Sequence, residues 1–230
     1  MWQCRGFIIG GVPTMKIAKK CSHVIWDWNG TLFNDVKWCV KITNEMLAKR
    51  NIKILNGVSE YHNAFCFPIK NYYKNIGFDF EKEPFENIAK EYIFLYHSEK
   101  TGNCRLNNDA EFVLESIQRK QVRQLILSAS EADNLLSQIN EFEIHHYFDE
   151  ILGLSDIYAK SKIKIGLDYL ARERVESGLL IGDTEHDYEV ANALGVDCLL
   201  IATGHQSKEK LLACGVPVLD SLSQVLEYIF

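Results

Sequence analysis

Apolar positions along the chain fall into two patterns that alternate. Short, nearly continuous runs end in or beside a polar residue: His23-Val24-Ile25-Trp26-Asp27, Arg123-Gln124-Leu125-Ile126-Leu127-Ser128, Gly178-Leu179-Leu180-Ile181-Gly182-Asp183 and Asp197-Cys198-Leu199-Leu200-Ile201. Runs of this kind suit strands covered on both faces. Val216-Pro217-Val218-Leu219 reads as an edge strand, where proline is tolerated. Between the strands lie helical periods. Ser130 is the expected cap of a helix carrying Leu135, Leu136 and Ile139, and Ser161 of one carrying Ile165, Leu167 and Leu170. Glu189 to Leu194, Lys208 to Ala213 and Leu222 to Phe230 continue the series. Strands alternating with helices predict a doubly wound α/β fold with a parallel sheet and right-handed crossovers.

Residues 36–104 break that rhythm. No buried-strand run occurs there. Helical periods do, through Val36, Val40, Thr43 and Leu47, and through Phe85, Ile88, Tyr92 and Tyr96 behind Pro84, a residue suited to a first helical turn. The expected organisation is an α/β core domain of residues 15–33 and 106–230, interrupted by an all-helical cap domain of residues 34–105. Met15 can serve as the natural start, leaving residues 1–14 as an N-terminal extension outside the fold. The apolar stretch from Phe7 to Val12 is short, glycine-rich and followed by no small-residue cleavage site, so it is not read as a signal peptide.

Composition narrows the function. The 230 residues are 47% hydrophobic and 24% charged, ordinary values for a globular chain. A net charge of -6 with no basic stripe argues against nucleic acid as a partner. Lys16, Lys19 and Lys20 read as a solvated approach to the first strand. No run approaches the ~20 apolar residues of a membrane span. Seven cysteines without a CxxC pair read as reduced thiols of a cytoplasmic protein, and a zinc site is not expected.

In an open α/β sheet, ligands bind outside the carboxyl ends of the strands. Asp27, Ser128 and Asp183 each end a predicted strand, and Lys162 begins a predicted helix. One nucleophilic carboxylate, one hydroxyl, one cation and a second acid suit a phosphoryl group held against a metal. A carboxylate attacks a phosphate dianion only once their repulsion is neutralised, and Mg²⁺ does this through one or two carboxylates plus phosphate and water. Lys162 adds positive charge, Ser128 a hydrogen bond, and the Asn29-Gly30-Thr31 turn main-chain N–H groups. The bland alternatives are a helix cap for Asp27 or Ser128, a solvated charge for Lys162 beside Lys160 and Lys164, and dipole complementation for Asp187.

Asp27-Trp28-Asn29-Gly30-Thr31-Leu32, Ser128, Lys162 and Gly182-Asp183-Thr184-Glu185-His186-Asp187 resemble the four ordered motifs of the haloacid dehalogenase superfamily. They closely resemble its phosphoglycolate-phosphatase-like branch, with a helical cap inserted after the first motif. The resemblance implies a phosphatase with Asp27 as nucleophile. It also implies Mg²⁺ held by Asp27, the Asn29 carbonyl and Asp183, with Asp187 in support, and phosphate contacts from Gly30, Thr31, Ser128, Ala129 and Lys162. The partner implied is a small phosphorylated metabolite, phosphoglycolate being the family-based guess, and the chain is expected to act as a monomer or homodimer.

One residue departs from the pattern. Position 29 ordinarily carries an aspartate that protonates the leaving group and then activates water, and asparagine does neither near neutral pH. General acid–base help is worth roughly 10²–10⁴-fold, so a slow phosphatase, a persistent aspartyl-phosphate and a non-catalytic or regulatory phospho-ligand binder all remain open. His186, His205 or the substrate are the candidate replacements for the base. In the cap, Phe65 to Lys74 is the candidate substrate-selecting surface, with Lys70 able to meet an anion; aromatic packing between cap helices is the competing reading.

Overall fold

The computed structural model describes residues 21–98, 104–155 and 162–230. The extension expected at residues 1–14, the lysines at 16, 19 and 20, Lys160 and the helix cap expected at Ser161 lie outside them.

Strand β1 (His23–Trp26) is followed by the two-residue β2 (Phe33–Asn34) and by helices α1 (Val36–Lys49), α2 (Val58–Ala64), α3 (Ile69–Asn75) and α4 (Phe85–Ser98). β3 (Arg105–Leu106) and α5 (Ala110–Arg119) lead to β4 (Arg123–Glu131), α6 (Ala132–Glu141) and β5 (Glu150–Leu154). The rest is α7 (Ile163–Glu173), β6 (Gly178–Gly182), α8 (Glu185–Leu194), β7 (Asp197–Ile201), α9 (Lys208–Leu212), β8 (Val218–Leu219) and α10 (Leu226–Ile229). Six strands form one sheet in the order β5-β4-β1-β6-β7-β8, with each pair parallel. The predicted α/β class is observed, and the expected edge strand is present but shortened to Val218–Leu219, with Pro217 just before it.

Alternation along β1 explains why the sheet is covered twice. Val24 and Trp26 pack with Val113, Ile117, Leu135 and Ile139 of α5 and α6, whereas Ile25 packs with Tyr169, Val190 and Ala191 of α7 and α8. Two buried tryptophans flanking Asp27 keep their indole N–H groups bonded, Trp26 to Gln124 at 3.1 Å and Trp28 to Gln138 at 2.9 Å. A buried donor left unpaired there would cost about 1–3 kcal/mol.

The four helices α1–α4 enter between β2 and β3, which pair antiparallel with Phe33 opposite Leu106 and Asn34 opposite Arg105. No strand occurs among the described residues from 36 to 98. That ribbon, β5 and α5 escaped the periodicity argument. β5 is a half-buried edge strand, and two-residue strands carry no pattern.

Ser130 does not cap α6. β4 runs on through Glu131, whose carboxylate accepts from the Asn134 amide at 3.1 Å and caps the helix instead. Helix α8 starts at Glu185, four residues before the apolar period begins, because Thr184 and Asp187 form a capping box.

Candidate active site

β1 delivers Asp27 to the carboxyl end of the sheet, and the Asp27 amide extends the ladder by donating to Ile181 O at 2.9 Å. β6 delivers Asp183 alongside it. The chain after Asp27 then turns sharply, and Gly30 sits at φ +78°, where a Cβ would stand 2.2 Å from an Asp183 carboxylate oxygen. Only glycine meets both demands. Asn107, buried, clamps the turn by donating to Gly30 O at 3.0 Å and Thr31 O at 2.6 Å.

Asp27, Asp183 and Asp187 present carboxylate oxygens within 4.8 Å of one another. Lys162, 2% exposed, donates to Asp27 and, at 2.7 Å, to Asp187. Of the lysines considered there, Lys162 alone is seen at the site, for Lys164 is exposed. Three buried carboxylates and one ammonium leave the cluster short of positive charge. Burial, then repulsion from Asp187, pushes the Asp27 carboxyl up to about 8 against the pull of Lys162. Burial raises Asp183 to about 6, the His205 charge opposing and the Asp187 charge reinforcing it. Asp187 is the exception: burial raises it, but the Lys162 ammonium and the Thr184 hydroxyl together hold it below the usual carboxylate range.

The roles within the cluster are uneven. Asp187 Oδ2 accepts from the Asp183 and Thr184 amides and, at 2.7 Å, from the Thr184 hydroxyl. With Oδ1 on Lys162, its geometry is that of a helix cap that also steers the lysine. Asp183 is held by the Thr31 hydroxyl at 3.0 Å and the His205 amide at 2.6 Å. Gly30 and Thr31 are occupied too: their amides donate to Phe33 O at 2.7 Å and Trp28 O at 3.2 Å within the turn. The two amides expected to face phosphate are thus engaged within the turn in this structure. The Trp28 and Asn29 amides have no partner among the described residues. Ser128 is buried, its Oγ accepting from the Ser130 amide at 3.1 Å, and both Ser128 and Ala129 line the cavity above Asp27.

Asn29 is bonded through its whole amide. Its Nδ2 donates to Asp35 Oδ2 at 2.8 Å and Tyr96 OH at 3.0 Å, and its Oδ1 accepts from Ser130 at 2.7 Å. Asp35 occupies the N-cap position of α1 without capping it. Its side chain turns inward to Asn29, to the Tyr96 hydroxyl at 2.7 Å and to His205 Nε2 at 3.2 Å. Burial raises Asp35, but His205 and these hydrogen bonds outweigh it and hold the carboxyl low. Burial would lower His205, yet Asp35 and Asp183 lift it to about 9. Both nitrogens of that ring are engaged, Nδ1 with Tyr61 OH at 2.9 Å. His186 stacks on Phe67 at 4.6 Å and lies 3.2 Å from Glu189. Sequence reasoning missed Asp35, Asn107 and the two tyrosines, because a single polar residue at a helix start or loop carries no signal until its partner is known.

Among curated proteins none matches this chain. Solved structures resemble it over most of their length. A haloacid dehalogenase-like hydrolase from Streptococcus pneumoniae is 19% identical with a TM-score of 0.79, covering 92% of this chain and 99% of that one. A protein described as a predicted phosphatase from Clostridium acetobutylicum is 20% identical with a TM-score of 0.76 over 92% and 99%. One described as a predicted phosphoglycolate phosphatase from Haemophilus somnus is 15% identical with a TM-score of 0.74 over 91% and 98%. Identities this low speak for the fold alone. The profile of haloacid dehalogenase-like hydrolases matches residues 24–201, a stretch reaching from β1 to the end of β7 and containing Asp27, Ser128, Lys162 and Asp183, and the chain belongs to that family.

Proposed function

We propose that the chain is a Mg²⁺-dependent phosphatase that removes the phosphoryl group from a small phosphorylated metabolite by way of an aspartyl-phosphate. The observation that carries this is the buried cluster of Asp27, Asp183 and Asp187 around Lys162 at the floor of a cavity. The raised carboxyls of Asp27 and Asp183 mark a place where a divalent cation fits, since it relieves the repulsion that burial imposes. Asp27, Asp183 and the Asn29 carbonyl would hold Mg²⁺, with Asp187 in support through Lys162 and water. Bound there, Mg²⁺ supplies the charge neutralisation that lets a carboxylate approach a phosphate dianion.

The residues then divide the work. Asp27 attacks phosphorus, forming an Oδ–P bond while the bond to the alcohol oxygen breaks and the alcohol leaves with its electron pair. Lys162 and the Ser128 hydroxyl bind phosphoryl oxygens, together with the unpartnered Trp28 and Asn29 amides. Water next attacks phosphorus, releasing inorganic phosphate and restoring Asp27. Asn29 neither gives a proton to the leaving oxygen nor takes one from the attacking water, so the leaving oxygen takes its proton from solvent water and the attacking water loses its own to solvent. Rates are expected to fall steeply as the alcohol becomes a poorer leaving group.

The same amide favours a second reading, a protein that binds a phospho-ligand or keeps its phosphoryl group without efficient turnover. An assay with 4-nitrophenyl phosphate, with and without Mg²⁺ and beside Asp27→Asn, separates the two. Mg²⁺-dependent turnover that Asp27→Asn lacks supports the phosphatase. Absence of both turnover and an initial burst overturns it.

A further inference from the structure

The cavity over Asp27 has a volume of about 210 Å³; an engineered apolar cavity of roughly 150 Å³ already holds benzene. Much of its wall comes from α2, α3 and α4, through residues such as Tyr61, Tyr72, Tyr73, Tyr92 and Ile93. Lys162 is the one lysine or arginine among the described residues of the lining, and it is already bound to two carboxylates. Of the further lining histidines, His186 faces Glu189 and burial pushes His97 toward its neutral form. The other buried cation, His205, is paired with Asp35. Glu131 adds a further carboxylate to the lining. Lys70, the cation sequence reasoning offered for an anionic substrate, does not reach this space. Its Nζ lies over the Phe80 and Phe85 rings, 5.3 Å and 5.8 Å from their centres.

We infer that the alcohol portion of the substrate is uncharged and apolar, an arylalkyl or alkyl group laid against the aromatic wall, and that leaving groups bearing a carboxylate or a second phosphate are rejected. This rests on the phosphatase reading for the phosphoryl end and goes beyond it at the other. An anionic leaving group would give up water for a wall made mostly of aromatic rings, with no unpaired lysine or arginine among the described lining residues to receive it. A ring or alkyl chain gives up nothing polar and gains burial. Phosphoglycolate, whose alcohol carries a carboxylate, is thus the wrong substrate for this cavity.

Binding to the full-length Asp27→Asn protein with Mg²⁺, measured by calorimetry, tests the leaving-group preference without turnover. 2-Phenylethyl phosphate should bind at least about tenfold more tightly than inorganic phosphate, a gain within reach of a hydrophobic pocket. Phosphoglycolate should bind no more tightly than inorganic phosphate. Adding Ile93→Lys, a half-buried wall position, should bring a cation within reach and shift the ratio toward phosphoglycolate by about tenfold or more. Phosphoglycolate binding best without Ile93→Lys, or 2-phenylethyl phosphate binding no better than inorganic phosphate, overturns the inference. Tight 2-phenylethyl phosphate binding alongside an inert wild type overturns the phosphatase reading and leaves the pocket assignment standing. Turnover of 4-nitrophenyl phosphate with a preference for phosphoglycolate does the reverse.

Discussion

At the scale of single residues, Asn29 is better understood from Asp35 than from the residue it replaces. The amide is a donor to a buried carboxylate 2.8 Å away, so Asn29→Asp would not simply restore an acid. It would set two carboxylates against each other, and such a pair keeps one proton at low pH and repels once that proton leaves. The sign follows: a pair whose folded pKa is raised is stable when protonated and loses that stability as pH rises through the raised value. Asn29→Asp should be nearly neutral at pH 5 and less stable by roughly 2–4 kcal/mol at pH 8, read from urea midpoints in metal-free buffer. Exchanging the two groups, as Asn29→Asp with Asp35→Asn, keeps one carboxylate in the cluster and should abolish most of that pH dependence. If position 29 is where a proton donor is needed, the exchange should also raise turnover of alkyl phosphates by roughly 10²-fold or more. An Asn29→Asp protein as stable at pH 8 as at pH 5 would show that Asp35 does not feel the change.

At the scale of elements, Lys210 on α9 holds the helical insertion in place. Its ammonium donates to the carbonyls of His62, Asn63 and Phe65 at 3.0, 2.9 and 3.1 Å, closing the C-terminal end of α2, where a cation complements the helix dipole. Beside it, Phe65 stacks on His205 at 5.1 Å. Lys210→Met keeps the apolar stem and removes the three bonds. It should speed amide exchange across residues 58–65 at least about tenfold while leaving β4 protected, and unchanged exchange in α2 would show that the aromatic contacts suffice. The contrast with the sheet shows what a sequence makes legible. β1, β4, β6 and β7 announce themselves because each carries an unbroken buried apolar run. The polar residues that follow three of those runs, Asp27, Ser128 and Asp183, are the ones that meet at the cavity, although β4 itself continues past Ser128 to Glu131. Lys210, Asn107 and Asp35 stayed hidden because their partners lie 148, 77 and 6 positions away, across folds no local period encodes. Ser130 misled for the opposite reason. It has the chemistry of a helix cap, yet the strand continues past it and aims its hydroxyl at Asn29.

At the scale of the whole molecule, the charge held in the cavity sets how stability should follow pH and metal. Asp27 at about 8 and Asp183 at about 6 both stand above their ordinary 3.8. Without metal the folded protein therefore holds more protons there than the unfolded chain, and stability falls as pH rises from about 4 through 8. His205 adds to the trend. Lifted from 6.5 to about 9, it contributes fully below 6.5 and is lost through 9. Asp35 and Asp187, held low, work at the other end, and their contribution is lost only in acid below the ordinary 3.8. Metal-free protein should thus be most stable in mild acid and weaken steadily toward pH 9. Mg²⁺ binds the deprotonated carboxylates, so its stabilising effect has to grow as the protons leave. Thermal melts of the full-length chain in chelator and in excess Mg²⁺ read this directly, with a Tm gain that is small at pH 5, several degrees at pH 8, and absent at both in Asp183→Asn. A gain independent of pH, or one that survives Asp183→Asn, would place the bound ion somewhere other than between Asp27 and Asp183.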